Sequence, residues 1–217
     1  AIERSGRASR QAILDAARDP ELLSRADAEG GSLEGYLFPD TYRFPLGTPP
    51  REILSAMAQN LRRKFSPALR ERAEKLGLSL HEALTLASLI EKETPMGAER
   101  PLVSAVFWNR LKKDMPLQSD PTVSFALPGL EGPLRRQDLS ADSPYNTYLH
   151  KGLPPGPIAS PGLPSIHAAL HPADVDYLYF VATATGGHAF SRTYREHQAA
   201  VARYQSKRKE KVDPNSP

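Results

Sequence analysis

The 217-residue sequence contains no cysteine. Disulfide frameworks, thiol nucleophiles and cysteine-bound metals are therefore excluded. The absence fits an exported bacterial protein without requiring one. Surplus charge is also scarce, with 28 Lys and Arg against 25 Asp and Glu for a net +3. The tail "KRKEK" can account for most of that surplus, and so weak a balance fits a solvated face better than a nucleic-acid surface. No apolar run approaches the roughly 18 residues of a spanning helix, and no signal peptide opens the chain. The opening "AIERSGRAS" reads as the start of a fragment whose anchor has been removed. A G-x-S-x-G elbow and a phosphate loop are both missing, so serine hydrolase and nucleotide chemistry have no support. His167 and His171 stand four apart, but no H-E-x-x-H and no third ligand accompany them. We expect no metal and no cofactor.

What is present describes a globular chain. Hydrophobic residues make up 40% and charged residues 24%, and the length suits one or two domains with a sizeable core. Helix signals dominate. Ser9 can cap "RQAILDAAR", and Asp19-Pro20 opens another short helix. Ile53, Leu54, Met57, Leu61 and Phe65 recur at helical spacing, as do Leu102, Val103, Val106, Phe107 and Leu111. Ser66-Pro67 begins a helix that Gly77 ends, and Ser79 with Glu82 has capping-box spacing. Asp120-Pro121 is read as a cap and first turn. In "GGSLEGYLFPDTYRFP", Tyr36, Phe38, Asp40 and Tyr42 alternate around Pro39, which predicts an extended segment over 34–44, an edge strand or a loop. Two apolar runs around Gly186-Gly187 predict a β-hairpin over 177–191, followed by a helix and a frayed end.

The stretch "LASLIEKETPMGAER" raises a chemical question. Glu93 follows Leu89 and Ile90 by four and three residues, on the apolar stripe of its helix. Glu91 falls behind Ala87 and Ser88. Carboxylates at i and i+2 lie about 200° apart around a helix, so the two cannot work as a facing pair. One of them as a lone acid against apolar neighbours would hold its proton near neutral pH, as a general acid must. The plainer alternative is a solvated helix end, which sits badly with the macrodipole. The Pro- and Gly-rich stretch 128–164 is the second informative region. Its "SPYNTY" interleaves rings with amide and hydroxyl groups, a pattern suited to the faces and edges of sugars or bases, or to a rigid surface loop.

The pieces "LEGYLFPDTYRF", "LASLIEKET", "FWNRL", "LQSDPTV", "SPYNTY", "GLPPGPIASPG", "YLYFVA" and "GGHAFS" occur in this order. Together they resemble the MltG (YceG-like) family of endolytic murein transglycosylases from about Leu33 to Tyr204. The resemblance implies an α+β fold: a mainly helical, lysozyme-like catalytic region with a small antiparallel sheet from 34–44 and the C-terminal hairpin. It implies residues 1–30 as a helical segment, at most a remnant of a LysM-like module, 31–206 as the transglycosylase domain, and 207–217 as a basic tail.

The same resemblance implies a carbon–oxygen lyase. It would cut the β-1,4 bond between N-acetylmuramic acid and N-acetylglucosamine within peptidoglycan strands, leaving 1,6-anhydro-N-acetylmuramic acid ends. Glu93 aligns with the family's catalytic glutamate, with Glu91 as fallback. Gln118, Asp120, Thr122, Tyr145, Asn146, Thr147, Tyr148, Pro155 and His188 are implied as sugar contacts or supports of Glu93. The 128–164 loop should border the groove. Expected partners are glycan strands and membrane-bound peptidoglycan synthases, at the outer face of the cytoplasmic membrane, with a membrane anchor in the full-length protein. A water-using muramidase and a non-catalytic glycan-binding module are the alternatives.

Overall fold

The computed structural model describes residues 8–130, 132–184 and 186–212. Helices α1 (Arg10–Ala16) and α2 (Pro20–Ala26) start where the Ser9 and Asp19 side chains accept backbone N–H groups. They pack on α3 (Pro50–Lys64), and Leu22 and Ala26 join the main buried cluster. These two helices therefore share one core with the rest of the chain. Ser66 caps α4 (Pro67–Lys75), and Gly77, at φ +73°, supplies the left-handed turn that ends it.

Helix α5 (Leu80–Glu93) opens on the full capping box of Ser79 and Glu82. Every residue from Ala83 to Ile90 is buried. A helix apolar on all sides belongs at the centre of a fold, and α5 packs against α4, α6 (Arg100–Lys112), α7 (Asp120–Ala126) and α8 (Leu163–Leu170). Each buried leucine of α5 contributes about 1.5–3 kcal/mol. The helix ends at Glu93 for a local reason. Thr94 precedes Pro95, whose ring disfavours helical backbone in the residue before it, and Thr94 is extended at φ −141°, ψ 130°.

Among the described residues the sheet is one antiparallel hairpin, β1 (Tyr179–Ala182) with β2 (His188–Ser191), pairing Tyr179 with Ser191 and Ala182 with His188. The segment 34–44 adds no strand, contrary to its expected place in the sheet; of the edge strand and the loop, it is the loop. Pro39 cannot donate to a ladder. The aromatic residues are instead plugs: Tyr36 and Phe38 are buried, and the Tyr36 hydroxyl meets His81 Nδ1 at 2.8 Å. Helix α9 (Tyr194–Val212) follows the hairpin and runs into the basic tail. Residues 213–217 of that tail lie outside the described residues.

Among the described residues the stretch 128–164 holds one 3-10 helix, Arg136–Ser140, and is otherwise irregular until α8 begins at Leu163. Its shape is fixed from within and from below. Asn146 Nδ2 donates to Leu139 O and Ala141 O, and Asn146 Oδ1 accepts the Tyr148 N–H. The Ile158 N–H donates to Ser88 Oγ on α5 at 3.0 Å. Gly35, at φ +82°, lies so close that a Cβ there would come within 2.2 Å of Pro157 Cβ.

Candidate active site

Glu93, the last residue of α5, is partly exposed. Its carboxylate faces a cavity of about 250 Å³ bounded by Arg110, Gln118, Asp120, Tyr148, Phe180 and His188, among others. Ser119 Oγ donates to Glu93 Oε1 at 2.5 Å. Ser119 is itself held from behind, because its N–H donates to Thr147 Oγ1 and Thr147 Oγ1 pairs with Thr122 Oγ1. Thr122, Thr147 and Ser119 are all buried. Gln118 takes a left-handed backbone, φ +51°, uncommon outside glycine and concentrated at functional sites. Its N–H donates to Thr147 O, and its Oε1 accepts from Arg110 Nη1.

Arg110 is a buried guanidinium whose Nε and Nη1 donate to the fold. Nε donates to Leu178 O at 2.7 Å and Nη1 to Leu117 O at 2.9 Å, tying the hairpin and the 116–118 turn to α6. Asp120 begins α7 without capping it. Its Oδ1 instead accepts the Tyr148 hydroxyl proton at 2.5 Å, which corrects the expectation of an Asp120 cap. Burial first, then that bond to Asp120, raises the Tyr148 phenol above its ordinary value, so it stays a donor.

The Glu93 carboxyl is pushed up to about 7. Burial is the main cause; the Ser119 hydrogen bond and Arg110 work against it, and the Asp120 charge adds to it. A carboxyl so placed can hold a proton at neutral pH and give it up to a bound oxygen, then act as base. Among the described residues no group of three or more His, Asp or Glu side chains could hold a metal ion.

A model of the YceG-like family matches residues 3–203. This chain belongs to the YceG-like family. It is 46% identical over 180 residues to the endolytic murein transglycosylase of Bacillus subtilis strain 168, covering 82% of this chain and 50% of that protein. It is 37% identical over 182 residues to the endolytic murein transglycosylase of Streptococcus pneumoniae strain D39, covering 79% of this chain and 32% of that protein. The chain thus spans half or less of these curated relatives. The crystal structure of a yceG-like protein from Listeria monocytogenes superposes with a TM-score of 0.81 at 36% identity, over 91% of this chain and 69% of that one.

Within this YceG-like chain the residues singled out from sequence fall into distinct groups. Glu93, Gln118, Asp120, Tyr148 and His188 share the cavity. Thr122 and Thr147 lie buried behind Ser119, and Asn146 braces the loop. Tyr145 packs its ring 4.9 Å from Phe125. Pro155 lies elsewhere. Its carbonyl meets His81 Nε2 at 2.8 Å, and it borders a separate depression with His81 and Leu153. Glu91 points away from the cavity. Its Oε2 accepts the Gly162 N–H and the Ser165 hydroxyl at the start of α8. Arg110 and Phe180, which also line the cavity, were not among the candidates from sequence. A buried arginine on "FWNRL" has no local signal that separates it from an ordinary basic helix end.

Proposed function

We propose that this chain is the catalytic part of an endolytic peptidoglycan lytic transglycosylase. It cuts the β-1,4 bond between N-acetylmuramic acid and N-acetylglucosamine within glycan strands and leaves 1,6-anhydro ends. Two curated relatives carry the name endolytic murein transglycosylase. The observation that carries the chemistry is the Glu93 carboxyl, raised to about 7 at the edge of a polar cavity.

Glu93 in its acid form gives its proton to the departing glycosidic oxygen. The resulting carboxylate takes the proton of the muramic acid C6 hydroxyl, whose oxygen closes on the anomeric carbon. The acid form is restored, and no water is consumed. The nucleophile belongs to the substrate, so proximity replaces an activated water. Ser119, backed by Thr147 and Thr122, holds the acid in place, and the nearby Arg110 charge favours its carboxylate form. Asp120 supplies negative charge across the cavity from the positive charge that builds on the sugar ring.

Asp120 also favours a second reading. A hydrolytic muramidase needs a second carboxylate beside its acid, and Asp120 shares the cavity with Glu93 and helps to raise its pKa. The two reactions differ in product by one water. In the cell the enzyme would trim or terminate nascent strands at the outer face of the cytoplasmic membrane, beside membrane-bound synthases and held by an anchor outside this chain. Among the described residues no helix is long and apolar enough to cross a membrane. Mass spectrometry of purified sacculi digested with the wild type and Glu93→Gln tests the reading. Anhydro-muropeptides from the wild type alone support it; reducing ends in their place favour the muramidase.

A further inference from the structure

One half-buried carboxylate beside the cavity has no part in the proposed reaction. Glu99 stands at the start of α6, yet its side chain makes no cap there. It reaches instead to the hairpin. Oε1 accepts the His188 backbone N–H at 2.8 Å, and Oε2 lies 2.7 Å from His188 Nδ1. Oε2 also accepts the hydroxyl proton of Thr94 at 3.2 Å. Thr94 directly follows Glu93, so one carboxylate ties the residue after the acid to the first residue of β2. The side chains of Glu99 and His188 are only 13% and 11% exposed, so the pair is shielded from competing water. Gly187 makes the approach possible, since a Cβ there would sit 2.5 Å from Glu99 Oε1. Burial works to raise the Glu99 carboxyl, but the bonds from His188 outweigh it and hold the group below its ordinary value.

The imidazole is held in one orientation. Its edge-on pair with Phe180 fixes its plane, at 5.3 Å and 84°. Both rings border the cavity that Glu93 faces. A carboxylate only accepts, so Nδ1 carries the hydrogen of the Glu99 bond. Any hydrogen bond the ring makes to a sugar is therefore made through Nε2.

We propose that Glu99 is a positioning residue for the reaction set out above, holding His188 so that its Nε2 hydrogen-bonds a hydroxyl or acetamido group of the bound glycan beside Glu93. The role depends on the glycan-cleaving reading of the site. Carboxylate, imidazole and sugar form a chain in which loss of Glu99 and loss of His188 remove the same contact.

Steady-state cleavage of soluble, uncrosslinked glycan strands by the wild type, Glu99→Gln, His188→Ala and the double variant tests this. The proposal expects KM to rise about tenfold in each single variant, with kcat little changed. The double variant should be no worse than the singles, because the two residues act as a unit. A mere staple between α6 and the hairpin would lower the folded fraction, giving a lower apparent kcat at unchanged KM, and that result overturns the proposal. So do independent, multiplying effects. Strand binding measured in the Glu93→Gln background, with and without Glu99→Gln, reads the contact without turnover. A Kd that does not move there overturns the positioning role even if cleavage depends on Glu93. Undiminished cleavage by Glu93→Gln alone overturns the reaction while leaving the binding result to stand.

Discussion

Replacing Glu93 by Gln should make the protein more stable, and by an amount that depends on pH. The carboxyl is raised from 4.5 to about 7. At about 1.4 kcal/mol for each tenfold change in proton affinity, the folded state disfavours its ionisation by ~3 kcal/mol. Below pH 4.5 the acid is protonated in both states and costs nothing. Between 4.5 and about 7 the unfolded chain ionises while the folded one does not, so the wild type loses stability as pH rises. Above that range the whole cost is present. Gln keeps the shape and can still accept the Ser119 hydrogen bond, but has no charge to bury. The variant's advantage should therefore grow by ~3 kcal/mol from about pH 4 to about pH 8. For a chain of this size that is a difference in Tm of ~6–12 °C. Urea and thermal unfolding followed by circular dichroism at a series of pH values measure it. A difference between the two proteins that stays flat across that pH range would refute the burial of a costly charge, since Glu93 would then titrate like an exposed carboxyl.

Other perturbations probe its surroundings. Cleavage by the wild type should fall as pH rises through about 7, the value for Glu93, because the general acid must start protonated; a pH profile of kcat on solubilised strands measures this. Ser119→Ala removes the hydrogen bond that lowers the Glu93 pKa, so the alkaline limb should move to higher pH, and a limb that moves down contradicts the electrostatics. Glu91→Ala leaves the buried Ser165 hydroxyl and the Gly162 N–H without their acceptor, which should cost ~1–3 kcal/mol in urea unfolding without shifting that limb. Gly35→Ala combines a left-handed backbone with overlap on Pro157 and should destabilise by ~2–5 kcal/mol in the same assay.

Local signals carried much of the fold. The Ser79–Glu82 capping box, the Ser66 and Asp19 caps, the Gly77 stop and the glycine-centred hairpin are decided within a few residues, and each stands where the sequence places it. The segment 34–44 misled because alternation reports which side chains are buried, not what the backbone pairs with. Tyr36 and Phe38 are buried by plugging the core beside α5 and α3, with no strand beside them. At the site, helix geometry separated Glu91 from Glu93 and told which had apolar neighbours. It did not reveal what each faces: a cavity for Glu93 and the start of α8 for Glu91. Asp120 was legible as a helix start, yet its tie to Tyr148 spans 28 positions. The resemblance named Asp120 as a contact or support, but its place in the Glu93 cavity left no trace on α5, because Asp120 comes from another helix. Contacts such as Glu99 with His188 leave no periodic trace, since their spacing is set by packing.

Everything proposed for the reaction turns on Glu93 alone supplying acid and base for an intramolecular ring closure. Its most direct test is muropeptide analysis of purified sacculi after digestion with the wild type and with Glu93→Gln. A lone acid–base Glu93 predicts 1,6-anhydro ends from the wild type and no soluble product from a folded Glu93→Gln. Normal product yield from that variant, or wild-type ends one water heavier than the anhydro form, would contradict it.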